Sequence, residues 1–168
     1  MYKFCPECGN GIGKKVEEFK CAKCGKNFYS NSRPTGTVIP FFNNEILVSV
    51  RGEEPHKGGF DYFGGFLHNG EDPLEGAVRE FKEETGLVIE ENDLEYLGVW
   101  LDEYEYQEDL FFTFNMIYVL PLKEKIEIKV NDDVVDFKWV SLDTPIKFAF
   151  ECENKIFESI KEKYYTNG

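Results

Sequence analysis

The chain has 168 residues and a formal net charge of −13 at neutral pH. So acidic a surface repels phosphate backbones, which excludes broad, sequence-independent binding of nucleic acid. Hydrophobic residues at 42% and aromatics at 16% suffice for a core and exclude global disorder, and the length suits one domain with a small appendage.

The first ten residues, "MYKFCPECGN", contain no apolar stretch of the kind a secretory signal needs. The longest apolar run, "LFFTFNMIYVL" (Leu110 to Leu120), is broken by Thr113 and Asn115 and reads as a buried strand rather than a membrane span. The expectation is a cytoplasmic protein without a membrane partner. Four of the five cysteines form two pairs, "CPEC" (Cys5, Cys8) and "CAKC" (Cys21, Cys24), with twelve residues between them. Each pair is followed by a glycine, Gly9 or Gly25, which allows a tight turn that brings backbone close to sulfur. Two such knuckles place four thiolates at the corners of a tetrahedron, so residues 1–29 are expected to be a zinc ribbon. Two disulfides or a redox pair are the other readings, and neither suits this spacing without a secretory signal. With all four corners filled by protein, the Zn²⁺ is expected to be structural. Cys152 reads as a buried apolar thiol and is given no role.

Residues 30–36, including "NSRPTG", carry turn chemistry and read as a connector to a main domain over 37–168. "TVIPFF" and "EILVSVR" read as two strands joined by a hairpin at Asn43–Asn44. A glycine-rich loop is expected from Gly52 to Gly65. A helix follows from Asp72 to about Thr85. Asp72 is its N-cap, Pro73 its first residue, and Glu75 completes a capping box. Leu74, Ala77, Val78 and Phe81 form its buried stripe, and Gly86 suits the position just past its end. Further strands are expected in "LEYLGVWL", "LFFTFNMIYVL" and "VVDFKWV", and an amphipathic helix from about Pro145 to Tyr164 closes the chain. Several strands with one internal and one terminal helix predict an α/β (α+β) sandwich around a mixed sheet.

The internal helix sets Glu80, Glu83 and Glu84 on its exposed face, beside Arg79. Like charges three and four residues apart weaken a helix. On composition alone such a face reads as solvated surface; the other reading is a site for a hard divalent cation, Mg²⁺ or Mn²⁺. The wider pattern favours the cation. Gly65, five residues, Glu71, seven residues and then "REFKEETGL" (Arg79 to Leu87) resembles the Nudix box, G-x5-E-x7-R-E-U-x-E-E-x-G-U with U apolar, at every specified position. The chain is thus identified as a member of the Nudix hydrolases, whose fold is an α/β/α sandwich with a mixed sheet.

Members of that family hydrolyse a nucleoside diphosphate linked to another moiety. The resemblance implies that Glu80 and Glu84 are the main ligands of Mg²⁺ or Mn²⁺, with Glu83 as a ligand or water activator and the Gly65 carbonyl as a further ligand. One of these glutamates, or an acid on a later loop, is the implied general base. Arg79 orients the carboxylates, and Glu71 supports the loop and pairs with Arg79. For the later acid, "VNDDVVDFKW" offers Asp132 and Asp133, with Asp133 preferred. "DEYEYQED" offers Asp102, Glu103, Glu105, Glu108 and Asp109. Arg51 is the implied contact to the diphosphate, with His56 and Lys57 as lesser candidates. His68 reads as surface.

A CxxC…CxxC ribbon before the box, with the linker "FYSNSRPTG", looks like the branch of NADH pyrophosphatases and ADP-ribose pyrophosphatase-like proteins. The NADH enzymes carry SQPWPFPxS after the box; here "LGVWLDEYEYQEDLFF" stands in that place. The expected function is cleavage of a nucleoside diphosphate derivative, ADP-ribose or a dinucleotide such as NADH. The alternatives are an adaptor that binds nucleotide or capped RNA through the ribbon, and a nucleoside triphosphate pyrophosphatase. RNA is expected only as a capped 5′ end, entering over the lysines of the ribbon (Lys14, Lys15, Lys20, Lys23, Lys26). A homodimer is expected by analogy with relatives.

Overall fold

The computed structural model describes residues 2–52, 54, 56–106, 109–128 and 134–165. Four short strands make up the N-terminal part: β1 (Tyr2–Phe4), β2 (Gly11–Val16), β3 (Glu18–Lys20) and β4 (Asn27–Tyr29). They form two antiparallel ribbons, β1 with β2 and β3 with β4. So few residues cannot bury a core. What apolar packing there is comes from Tyr2, Phe19 and Phe28, with Phe19 and Phe28 stacked at 5.1 Å.

The main sheet contains β5 (Arg33–Phe42), β6 (Glu45–Arg51), β7 (Phe60–Asp61), β8 (Phe63–Phe66), β9 (Glu95–Tyr106), β10 (Asp109–Pro121) and β11 (Val134–Ser141). Its order is β11-β6-β5-β10-β9, with β7 added to β6 and β8 to β5. β5 and β10 run parallel, from Thr113 opposite Arg33 to Pro121 opposite Phe41, and the other pairings are antiparallel. The sheet is therefore mixed, as expected. The β5–β6 hairpin turns at Asn43 and Asn44, both with positive φ (47° and 62°), a conformation that matches the twist of the flanking strands.

Successive residues of a strand point to opposite faces, and the two helices cover one face each. Under α1 (Pro73–Thr85) lie Val38, Leu47, Phe63, Tyr118 and Leu120, packed on Ala77 and Phe81. Under α2 (Glu151–Tyr164) lie Ile39, Ile46, Val48 and Ile117, packed on Ile156, Phe157 and Ile160. Adjacent Val38 and Ile39 thus serve different cores. Phe81 is fully buried, edge-on to Phe63 at 5.5 Å. No helix among the described residues is long and apolar enough to cross a membrane.

Five expectations change. Strand β5 begins at Arg33, inside the stretch read as a connector, because Arg33 to Gly36 pair with β10 far along the chain. The Gly52–Gly65 loop holds β7 and β8, which pair with β6 and β5. Asp72 caps α1 by accepting from Leu74 N at 2.9 Å, not through a reciprocal box with Glu75. Strand β9 runs on to Tyr106, so Asp102, Glu103 and Glu105 are strand residues rather than loop acids. The closing helix begins at Glu151, not Pro145. Phe148 is instead extended beside Phe60, Ala149 N donates to Phe60 O, and Glu153 Oε2 accepts from Phe150 N to start the helix.

Candidate active site and metal centre

In the ribbon, Cys5 Sγ and Cys24 Sγ are 3.7 Å apart, as are Cys8 Sγ and Cys21 Sγ. All four sulfurs lie within 4.8 Å of one another. A tetrahedron with metal–sulfur bonds of about 2.3 Å has edges of about 3.8 Å, so the four thiols fit a zinc ion. Each knuckle is closed by the glycine after it: Gly9 N donates to Cys5 O and Gly25 N to Cys21 O, with φ near 70° at both glycines. Cys24 N also donates to Cys21 Sγ at 3.5 Å, and this bond above all lowers the Cys21 thiol to about 6.

The second site is built by α1 and the strand before it. Arg79 is its organiser. Nε donates to Glu71 Oε1 at 2.7 Å and Nη2 to Glu71 Oε2 at 2.9 Å. Nη1 donates to Glu80 Oε1 at 2.7 Å and to Glu83 Oε2 at 3.2 Å. Nη2 also reaches Phe66 O at 3.2 Å, tying the helix to the end of β8. A lysine has no planar fork and cannot make this set. Glu71 takes a third bond, from His68 N at 2.7 Å. Arg79 above all, and then His68 N, hold the Glu71 carboxyl down at about 2.

Glu84 lies one turn further along α1, and its Oε2 accepts from Gly64 N at 3.0 Å. Burial pushes this carboxyl up to about 8, and the negative charges of Asp61, Glu80 and Glu83 add to the effect. Glu80 rests on Gly65: a Cβ there would lie 2.6 Å from the Glu80 carboxyl carbon. A side chain at this position would push the Glu80 carboxylate away from the strand. Hard oxygen donors gathered along one helix, with one of them forced toward neutrality, are what a divalent cation relieves, so the residues fit Mg²⁺ or Mn²⁺. Among the described residues, only the four cysteines bring their ligand atoms within 4.8 Å of one another; the glutamates are held more widely, two of them by Arg79.

Beside Gly64 and Gly65 opens a cavity of about 160 Å³ between the sheet and the start of α2. Arg51 lines it, with its guanidinium bound to Asp61 Oδ2 at 2.5 Å and lying 5.0 Å from the Phe150 ring. Asp61 and Glu153 also line the cavity, and the sequence reading named neither. Glu153 is buried; Oε1 accepts from Tyr62 N and Oε2 from Phe150 N. Burial, and next the charge of Asp61, pushes its carboxyl well above the usual carboxylate range. The signal for Asp61 was its place in the alternation of "FDYF" just before the glycines. Glu153 was hidden because the helix was expected to start earlier.

Asp102 lines the cavity, whereas Glu103 and Glu105 lie exposed on the opposite face of β9. His56 packs edge-on against Phe150 at 5.3 Å, and Lys57 is exposed. His68 is exposed, with Nδ1 3.9 Å from Glu71. Asp132, Asp133 and Glu108 lie outside the described residues, as does the side chain of Asp109. Cys152 is buried, as expected, beside Asn115.

The NUDIX domain model matches residues 32–159. The chain belongs to the Nudix family. A Nudix relative, the NAD-capped RNA hydrolase NudC of Pseudomonas aeruginosa, is 29% identical over 143 residues, which is 84% of this chain and 48% of that protein. This chain therefore spans about half the length of NudC. The ADP-ribose pyrophosphatase of Methanocaldococcus jannaschii is 32% identical over 121 residues, 72% of this chain and 69% of that one. The crystal structure of a NUDIX hydrolase from Nitrosomonas europaea superimposes with a TM-score of 0.64 at 19% identity, covering 97% of this chain and 94% of that chain. That likeness shows the fold.

Proposed function

We propose that this Nudix protein is a divalent-cation-dependent hydrolase that cleaves the diphosphate of a nucleoside diphosphate linked to another moiety, with ADP-ribose or a dinucleotide as substrate. The observation that carries this reading is the placement of Glu80 and Glu84 against Gly65 and Gly64, at the rim of a cavity large enough for one attached group. The names of two relatives, an ADP-ribose pyrophosphatase and an NAD-capped RNA hydrolase, support the same chemistry.

Glu80, Glu84 and Glu83, with the Gly65 carbonyl, are the residues that would hold Mg²⁺ or Mn²⁺. When bound, the cation neutralises charge on the diphosphate and makes an attacking water more acidic. The rest is the work of the chain. Arg79 fixes Glu80 and Glu83 relative to Glu71, so the carboxylates do not have to be ordered on each turnover. Gly64 N–H holds one oxygen of Glu84, and the other is left for the site. Arg51 presents N–H donors at the cavity for a phosphate oxygen. A general base comes from Glu83 or another of these carboxylates.

The zinc of Cys5, Cys8, Cys21 and Cys24 is structural on this reading, since four thiolates leave no open position. The ribbon over 1–29 and the Nudix domain that begins with β5 at Arg33 are then separate units, the first dependent on metal. RNA enters only as a dinucleotide-capped 5′ end.

The test is turnover with Mg²⁺ and then Mn²⁺ on ADP-ribose, NADH, NAD⁺, dinucleoside polyphosphates, nucleoside triphosphates and NAD-capped RNA, with Glu84→Gln as control. Nucleoside monophosphate released from one class, and reduced about 100-fold or more in the variant, supports the reading. Nucleotide binding without turnover on any substrate overturns it in favour of an adaptor.

A further inference from the structure

The cavity beside the glutamates has a chemical polarity of its own. Its walls are aromatic. Tyr104 lies 5.5 Å from Phe150 with the rings inclined at 32°, and 6.2 Å from Phe66 with the rings perpendicular. Such faces take a flat heterocycle. Its sheet wall is polar and largely self-satisfied. Asn115 Oδ1 accepts from Thr35 Oγ1 at 2.7 Å, and Asn115 Nδ2 donates to Trp100 O and to Thr113 Oγ1, both at 3.2 Å. The Asn115 amide hydrogens are thus engaged, and its Oδ1 already holds one donor.

Asp102 differs. It lies on β9 directly opposite Thr113 and faces the same cavity. Among the described residues its side-chain partner is the Cys152 thiol, a weak donor. A carboxylate has about four acceptor sites, and among the described residues one thiol is what meets them. An acceptor so placed rewards a ligand edge that carries N–H and penalises one that carries a carbonyl oxygen. The one guanidinium donor named in the cavity, Arg51, is engaged with Asp61, whose charge is felt by Glu84, and so belongs to the phosphate end.

From this we infer that the cavity is the base subsite of the proposed hydrolase, that the base packs against the Tyr104–Phe150 pair, and that Asp102 selects a 6-aminopurine by accepting from its exocyclic amine. The inference rests on the proposed function for its substrate class, but binding can be tested without catalysis.

The experiment compares AMP with IMP, in which a carbonyl oxygen replaces the amine and N1 carries the hydrogen, by calorimetric titration of the full zinc-loaded chain without added Mg²⁺ or Mn²⁺. Wild type is expected to bind AMP about tenfold or more tightly than IMP. Asp102→Asn offers an amide that can both donate and accept, and should bring the ratio to within about twofold. Tyr104→Leu should weaken both nucleotides together and leave the ratio as in wild type. Equal binding of AMP and IMP by wild type, no binding of either, or an unchanged ratio in a folded Asp102→Asn overturns the inference. Wild type alone decides the matter if that variant does not fold. Discrimination of AMP from IMP in a chain that hydrolyses nothing would keep the subsite and remove the enzyme; hydrolysis that ignores the base would do the reverse.

Discussion

Arg79 grips Glu71 with two near-parallel bonds, Nε to Oε1 at 2.7 Å and Nη2 to Oε2 at 2.9 Å, and spends its remaining nitrogen on Glu80 and Glu83. One side chain therefore sets the spacing of three carboxylates. Arg79→Lys keeps the charge but loses the fork. On the proposed reading, kcat/KM should fall about 10- to 100-fold, as for other partners that orient metal ligands, with a weaker response to added Mg²⁺. Steady-state rates across a Mg²⁺ titration check this. An unchanged metal dependence would remove Arg79 from the metal site.

The same pair makes an acid-range prediction. Glu71 is held at about 2 in the folded chain, below its usual value. A depressed carboxyl adds stability above its unfolded pKa, and that stability is lost as pH falls toward the folded value. Wild type should therefore lose stability between about pH 4.5 and 2 more steeply than Glu71→Gln. Denaturant titrations over that window would show it.

Glu84 has the opposite sign. Its folded carboxyl is raised to about 8. The folded state then binds the proton more tightly than the unfolded one, so this contribution is complete below about pH 4.5 and is lost as pH rises through 8. Without added Mg²⁺ or Mn²⁺ the melting temperature should fall from pH 5 to pH 8, and Glu84→Gln should remove much of that fall. Saturating Mg²⁺ competes with the proton, so it should raise the melting temperature more at pH 8 than at pH 5. Calorimetry with and without Mg²⁺ at both pH values is the check, and a metal effect larger at pH 5 would contradict it.

The ribbon should hold one zinc ion per chain by elemental analysis. Cys21→Ser should bring the content close to zero and expose the N-terminal residues to protease, while the sheet and its two helices keep their cooperative transition. A single transition that collapses with the metal would show the two parts to be one folding unit.

Phe81 is the anchor of α1, fully buried and edge-on to Phe63. Phe81→Ala should cost about 3–5 kcal/mol in chemical denaturation. Because the helix carries the glutamates, the affinity for Mg²⁺ should weaken with it.

What the sequence made legible is local. The two cysteine pairs, the cap at Asp72, the stripe of Ala77 and Phe81 and the turn at Asn43–Asn44 are each decided by residues within a few positions of one another. The pairing of Arg79 with Glu71 and Glu83 is close to this, because one helix and the loop leading into it supply all three. What escaped the reading is set at long range. Arg33 looks like a linker residue until β10 arrives beside it. Asp102 looks like a loop acid until the register of β9 against β10 turns it inward and Glu103 outward. Glu153 carries the charge of a surface residue, yet two backbone N–H groups, from Tyr62 and Phe150, draw it into the core. No periodicity announces these contacts, because they depend on which strands become neighbours.

The parallel pairing of β5 with β10 also has a consequence for how the chain comes together. Thr35 and Asn115, which hydrogen-bond across the two strands, are 80 residues apart, whereas Cys5 and Cys24 are only 19 apart. Closing the longer loop carries the larger entropy penalty, and contacts of that range are made slowly. During synthesis the cysteine knuckles can capture their metal while β5 still waits, its edge unpaired, for a strand not yet made. The sheet that seats the glutamates is then the last part of the protein to form, and the stretch of synthesis most exposed to wrong pairing is spent with β5 open.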